Sequence, residues 1–90
     1  MHVEWKLFAD LAEHADDRTV AVEVASGGTV GEALEELLSD RPALADRVRT
    51  DGGLAGDVSV LKNGADLGDD LDDELESGDE LALLPPVSGG

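Results

Sequence analysis

The sequence predicts one small α+β domain, in which one main helix packs across a mixed sheet of four to five strands. Three observations lead to this prediction. Two segments near the N-terminus alternate apolar and polar residues, as half-buried strands do. An apolar stripe with helical spacing comes next, and two further apolar segments of strand length come after it. Ninety residues provide for a single modest core and leave no room for a second domain.

The N-terminal part is predicted to form two strands joined by a short helical turn. Residues 3–9 alternate in polarity and place Trp5 on the buried face. Asp10 is expected to cap the helical turn that comes next, with Glu13 in the capping-box position three residues later. Residues 19–24 carry three valines on one face and predict the second strand.

The main helix is the most clearly marked element of the sequence. Thr29 is expected to be its N-cap, with Glu32 three residues later. The residues of its apolar stripe recur at i, i+3, i+4, i+7 and i+8 and are Val30, Ala33, Leu34, Leu37 and Leu38. Pro42 ends or redirects this helix, and residues 42–48 predict a short additional helical turn.

The second half of the chain predicts a hairpin, an acidic loop and a closing strand. Residues 50–57 form a glycine-rich loop, and residues 58–62 a strand. Asn63-Gly64 is a dipeptide typical of a tight reversal in which both central residues have positive φ. Residues 65–79 are acidic and contain three leucines spaced by four, which predict a loop held against the core that can include a helical turn. Residues 80–84 are the closing strand.

The acid excess limits the classes of partner. Twenty-two acidic residues oppose six basic ones, for a formal charge of −16. This sign disfavours nucleic acid and anionic membrane surfaces, which attract lysine and arginine. We interpret it as adaptation to a very saline cytoplasm, because the Debye length is only about 3 Å at 1 M salt. The alternative is an acidic docking face for a basic partner.

No residue pattern predicts catalysis or metal binding by the chain itself. Cysteine is absent, and His2 and His14 are isolated from other ligands. The acidic run that begins at Asp69-Asp70 lacks the glycine and the spacing of an EF-hand loop, so we interpret it as solvated surface. No glycine-rich stretch has the pattern of a phosphate-binding loop. No bound cofactor is expected. Because no leader or apolar span is present, a cytoplasmic location is expected.

The C-terminal tail is the most informative segment. Pro85 and Pro86 cannot continue a central strand, so the chain is expected to leave the sheet there. We therefore divide the chain into a folded domain over residues 1–86 and a flexible tail over residues 87–90. At about 3.3 Å per residue the tail can carry its carboxylate on the order of 13 Å from the body. Gly89 and Gly90 let it pass where a Cβ would collide, as in a narrow active site of another protein. A frayed terminus is the alternative.

The order of elements, Asn63-Gly64 and the end Leu84-Pro85-Pro86-Val87-Ser88-Gly89-Gly90 together resemble the ubiquitin-like β-grasp family. Within it, the chain is similar to the small archaeal modifier proteins, to the sulfur-carrier subunit of molybdopterin synthase (MoaD) and to the thiamine sulfur carrier (ThiS). The opening residues 4–13, with their Leu-Phe-Ala exit from the first strand, are similar as well. The resemblance spans essentially the whole chain.

This resemblance implies a carrier rather than an enzyme. An E1-like enzyme would consume ATP to adenylate the Gly90 carboxylate. A sulfur donor would then convert the adenylate to a thiocarboxylate for molybdopterin synthesis, or a substrate lysine would accept it in an isopeptide bond. The implied partners are the E1-like enzyme, the MoaE-like large subunit of molybdopterin synthase and substrate proteins, and the chain is expected to be a monomer.

Several residues are candidates for docking or for modification. Phe8 lies opposite Trp5 by alternation and is expected to be exposed, unless it packs under the turn at Leu11. The other docking candidates surround the tail and are Leu84, Pro85, Pro86, Val87 and Ser88, although the side on which Leu84 points is open. Lys6 and Lys62 are either acceptors for another modifier or members of surface ion pairs. The competing function is a β-grasp binding module with an inert tail.

Overall fold

The computed structural model describes residues 1–50, 53–54, 57–68 and 70–85. The elements in chain order are β1 (His2–Leu7), α1 (Asp10–Ala15), β2 (Thr19–Glu23), α2 (Val30–Ser39), α3 (Pro42–Val48), β3 (Arg49–Thr50), β4 (Gly53–Leu54), β5 (Ser59–Lys62), β6 (Ala65–Asp66) and β7 (Glu80–Leu84).

Five strands form one mixed sheet in the order β2-β1-β7-β5-β6. The two terminal strands of the fold, β1 and β7, run parallel at its centre, and the other neighbours are antiparallel. Helix α2 packs across this sheet against β2. The predicted α+β architecture is confirmed, and β7, which ends one residue before Pro85, is the central strand of the sheet.

The core lies between the sheet and α2. The whole apolar stripe of α2 is buried, and so are alternate residues of β1 and β7. Trp5 is fully buried, and its indole Nε1 donates to the carbonyl oxygen of Ala33 in α2 at 3.1 Å. A buried indole N–H needs such a partner, so this bond orients the ring between sheet and helix. The predicted N-cap is confirmed, because Thr29 Oγ1 accepts from the backbone N–H of Glu32 at 3.3 Å.

The acidic segment after β6 covers the N-terminus of α2. The carbonyl oxygen of Leu71 accepts from the N–H of Gly31 at 2.8 Å. That of Asp73 accepts from the N–H of Val30 at 3.0 Å. These two bonds satisfy helix N–H groups that have no partner inside the helix. Leu75 is buried and the two preceding leucines are partly buried, which confirms the predicted loop held by leucines.

The Asn63-Gly64 turn does more than reverse the chain. Both residues have positive φ, 50° and 87°, as the sequence predicts, and the turn joins β5 to β6. The Asn63 side chain also reaches the start of β7. Its Oδ1 accepts from the N–H of Glu80 at 2.9 Å, and its Nδ2 donates to Asp79 at 3.0 Å. These hydrogen bonds connect the β5–β6 hairpin to the start of the central strand, β7.

The structure corrects the predicted cap of the first helix. Asp10 is the first residue of α1 rather than its N-cap, and no side chain caps this helix, so Glu13 does not act in a capping box. The capping position belongs to Ala9, whose φ of 52° and ψ of −130° also end β1 at Leu7. The Asp10 carboxylate binds Arg47 instead.

One further prediction is corrected and another is confirmed. The segment predicted as a glycine-rich loop, residues 50–57, contains the two-residue strand β4 and the second residue of β3, and the two strands pair antiparallel; residues 51, 52, 55 and 56 lie outside the described residues. Residues 42–48 form a seven-residue helix, α3, with Pro42 in its first turn, where a missing N–H costs nothing.

Candidate functional site

The site begins where β7 ends. Leu84 pairs with Ser59 of β5 at the last position of the central strand, and Pro85 comes next, partly buried. The predicted reactive tail, Pro86, Val87, Ser88, Gly89 and Gly90, lies outside the described residues, as does the proposed domain boundary between residues 86 and 87. The structure therefore describes the base from which the tail departs.

The face of the sheet opposite the helices, which we name the open face, carries an apolar strip. On this face the register places Leu61 of β5 opposite Ala82 of β7, and Lys6 of β1 beside Ala82. Leu84 also points to this face, because Leu83 is buried on the other one. Leu61, Ala82 and Leu84 are partly buried and form an apolar strip across two strands, which ends at the last residue of β7.

The strip settles the orientation of Leu84 and adds two residues that sequence reasoning missed. Leu61 and Ala82 were not among the docking candidates. The signal for Leu61 was present, since alternation with the core residue Val60 turns its side chain outward.

Phe8 is the large apolar side chain that the structure leaves most open. Among the described residues it is the one large hydrophobic residue that is exposed, with 44% of its surface open to solvent. The alternative in which it packs under the turn at Leu11 does not fit this exposure, because Leu11 itself fills the core. The exposed part of this ring is available to another protein, and the role of Phe8 in docking stays a prediction.

A charged clamp fixes the turn that presents Phe8. Arg47 Nε on α3 donates to Asp10 Oδ2 on α1 at 2.8 Å, and the same guanidinium contacts Asp57 at 3.3 Å. The hydrogen bond from Arg47 lowers the pKa of Asp10 below its usual value. Because Asp10 lies two residues after Phe8, the clamp and the positive φ of Ala9 hold the backbone next to Phe8.

The two lysines occupy different surroundings. Lys6 Nζ lies on the open face, 2.9 Å from Glu80 Oε1. Lys62 Nζ is held by Asp73 Oδ2 at 2.6 Å and by the carbonyl oxygen of Glu74 at 3.1 Å. Hydrogen bonds to these carboxylates raise the pKa of both ammonium groups, with Glu80 as the main cause for Lys6 and Asp73 for Lys62. Both lysines thus belong to ion pairs, and whether either is modified stays a prediction.

The described residues provide no clustered metal ligands. No group of three or more histidine, aspartate or glutamate side chains comes together in the geometry of a metal site within them. The same residues contain no helix with the length and apolarity needed to cross a membrane.

The comparison with family models matches residues 5–90 of the chain to the ThiS family. The chain belongs to the ThiS family. It is 53% identical over 89 residues to small archaeal modifier protein 1 of Haloferax volcanii, covering 98% of this chain and all of that relative. A crystal structure of small archaeal modifier protein 1 from the same organism superimposes with a TM-score of 0.91 at 52% identity, and each chain is covered completely.

A third similarity concerns a complex. The chain superimposes on a structure of the BexX/CysO complex from Amycolatopsis orientalis with a TM-score of 0.75 at 28% identity, covering 98% of this chain and 99% of that one. A chain of this fold is thus found in contact with another protein.

These similarities confirm three predictions. The fold is the ubiquitin-like β-grasp, and the functional class is that of a ubiquitin-like modifier and sulfur carrier. The halophilic interpretation of the acid excess agrees with the Haloferax relative. The docking residues and the reactivity of Gly90 are not tested by the comparisons and stay predictions.

Proposed function

We propose that this ThiS-family chain acts through the carboxylate of Gly90, which an E1-like enzyme activates with ATP. The observation that carries the proposal is the apolar strip at the base of the tail. Leu61, Ala82 and Leu84 lie on the open face, directly beside the point at which β7 releases the chain. A protein that binds this strip receives the tail in its own active site.

The chemistry requires activation because a free carboxylate is a poor electrophile. Condensation of the Gly90 carboxylate with ATP forms an acyl-adenylate and releases pyrophosphate. A sulfur donor can then displace AMP and leave a thiocarboxylate, or a lysine amine of another protein can displace AMP and form an isopeptide bond. In both reactions this chain is a co-substrate, ATP binds to the activating enzyme, and the catalytic groups belong to the partners.

The open face and Phe8 together provide the docking surface for these partners. The strip is flanked by the paired charges of Lys6 and Glu80, so it offers an apolar centre with a polar border, the usual anatomy of a transient interface. Partners of the expected kinds are the E1-like enzyme, a MoaE-like large subunit of molybdopterin synthase and proteins modified on lysine. The existence of a complex that contains a similar chain supports partner binding of this type.

Intact-mass spectrometry tests the proposal. The purified chain is incubated in high salt with ATP, a sulfur source and the host's E1-like enzyme, beside a matched chain that lacks Gly90. The expected result is an adenylate adduct, or replacement of one oxygen by sulfur, on the full chain and not on the shortened one. If the enzyme binds the chain but its mass never changes, the tail is inert.

That second outcome would favour the competing function, a β-grasp binding module that uses the open face alone. In that case the chain without Gly90 binds its partner as tightly as the full chain does. Titration calorimetry on the two chains measures whether binding survives the loss of Gly90, and mass spectrometry measures whether the reaction does. A binding module keeps its affinity and shows no reaction with either chain, whereas a carrier reacts as the full chain and does not react without Gly90.

A further inference from the structure

We propose that Lys6 is a self-acceptor: its Nζ takes the activated Gly90 of a second copy of the chain into an isopeptide bond, whereas Lys62 does not. This inference rests on the proposed function, because it needs an adenylated carboxylate. The chain has only two lysines, so the two side-chain amines can be compared directly.

Lys62 is bound on two sides in a position that supports the fold. Its Nζ lies 2.6 Å from Asp73 Oδ2 and donates to the carbonyl oxygen of Glu74 at 3.1 Å, and its side chain is only 23% exposed. The backbone carbonyl of Asp73 also accepts from the N–H of Val30 at the start of α2. An acyl group on Lys62 would break both contacts and disturb the segment that caps this helix.

Lys6 is more open, and within the described residues it pairs with one carboxylate. Its side chain is 44% exposed and pairs with Glu80 Oε1 at 2.9 Å, on a carboxylate that is itself exposed. Exposed ion pairs of this kind contribute little to stability, so release of Lys6 costs the fold little. The more accessible and less constrained amine is therefore Lys6.

Glu80 holds the Lys6 amine in place and raises its pKa, so the attack is expected to become faster as the pH rises. The ammonium must lose a proton to solvent before it can attack, and Lys6 leaves its ion pair with Glu80 when it does. The neutral Nζ then attacks the Gly90 carbonyl carbon of the adenylated copy. The new C–N bond forms, the C–O bond to AMP breaks, and AMP leaves with the electron pair on its phosphate oxygen. Solvent takes the second proton from the nitrogen.

The position of Lys6 determines which copy accepts the glycine and how the modified copy then behaves. In the register of β1 and β7, Lys6 lies opposite Ala82 on the open face, and Ala82 comes two residues before Leu84. While a chain is docked through this face, its own Lys6 is covered, so the acceptor has to be a free second copy. Once modified, that copy carries a folded domain over its open face and is withdrawn from further activation.

The experiment mixes two full-length chains of different isotopic composition with the E1-like enzyme and ATP. The donor is wild type labelled uniformly with heavy nitrogen, and the unlabelled acceptor is wild type, Lys6→Arg or Lys62→Arg. Both substitutions keep the positive charge and remove the nucleophile. Because Lys62 is the last basic residue, trypsin leaves residues 63–90 of the labelled donor on the modified lysine. Adenylation of Gly90 is measured in the same samples.

The expected result is a labelled branch on Lys6 of the wild-type and Lys62→Arg acceptors, and its loss from the Lys6→Arg acceptor. A purified Lys6-linked dimer is then expected to lose adenylation of its free Gly90. A branch on Lys62, or no branch while adenylate forms, overturns this inference and leaves the proposed function intact. Absence of adenylate overturns the proposed function itself.

Discussion

Replacement of Phe8 by alanine is expected to weaken docking to the E1-like enzyme. A phenylalanine side chain has roughly 200 Å² of accessible surface. Because Phe8 is 44% exposed, roughly 90 Å² of its surface is open to a partner. Burial of this area in an interface is worth about 2 kcal/mol at 25 cal/mol per Å². That energy corresponds to a roughly 30-fold increase in the Kd of the variant.

The assay is ATP–pyrophosphate exchange by the enzyme in high salt, with the chain as the varied substrate. Phe8 lies outside the reacting tail, so its loss should raise KM and leave kcat unchanged. Glu36→Gln is the matched control, because Glu36 is exposed on α2, away from the open face. Thermal unfolding should show that the Phe8→Ala variant is folded at the assay temperature, with a lower midpoint because the covered part of the side chain packs against the domain. Equal KM values for Phe8→Ala and wild type would refute the assignment of Phe8 to the docking surface.

Three further predictions concern the fold. The N–H of Glu76 donates to Asp79 at 2.8 Å, and this bond lowers the pKa of the Asp79 carboxyl below its usual 3.8. The stability that the Asp79 carboxylate contributes is therefore fully present above pH 3.8 and is lost as the pH falls through the lower pKa of the folded state. Urea unfolding should therefore show Asp79→Asn destabilised at neutral pH, with a smaller further loss below pH 3.8 than wild type; equal losses would contradict this. Ala9→Gly should raise the free energy of unfolding by about 1 kcal/mol, because glycine tolerates the backbone at φ 52°, and a lower urea midpoint would argue against strain there. Trp5→Phe should cost about 1 kcal/mol for the lost bond to Ala33, with an added cavity cost; an unchanged thermal midpoint would be inconsistent with that bond.

Elements that depend on local periodicity were predictable. The alternation around Trp5 and the helical stripe from Val30 to Leu38 report directly which side of each element meets the core, because burial selects residue type position by position. The Asn63-Gly64 turn was predictable for a similar reason, since its backbone angles are set by the two residues themselves.

Features that depend on residues far apart in the chain were not predictable from the sequence. Aspartate is a residue type that often caps helices, but the carboxylate of Asp10 binds Arg47, which lies 37 residues later in the chain. The direction of Leu84 depends on pairing of β7 with both β1 and β5, and one residue of slippage would reverse it. The cover over the start of α2 comes from backbone carbonyl groups, which carry no signature in a sequence.

Residue type, spacing and charge were enough to establish the α+β class and the halophilic surface, and they predict a reactive tail that ends in Gly89 and Gly90. None of these properties requires knowledge of neighbours in space. The folded chain was needed to show that β1 and β7 pair in parallel, that Leu61 and Leu84 share the open face, and that Lys6 and Lys62 differ in accessibility. These properties depend on contacts between segments far apart in the chain, and such contacts form only when the core brings the segments together.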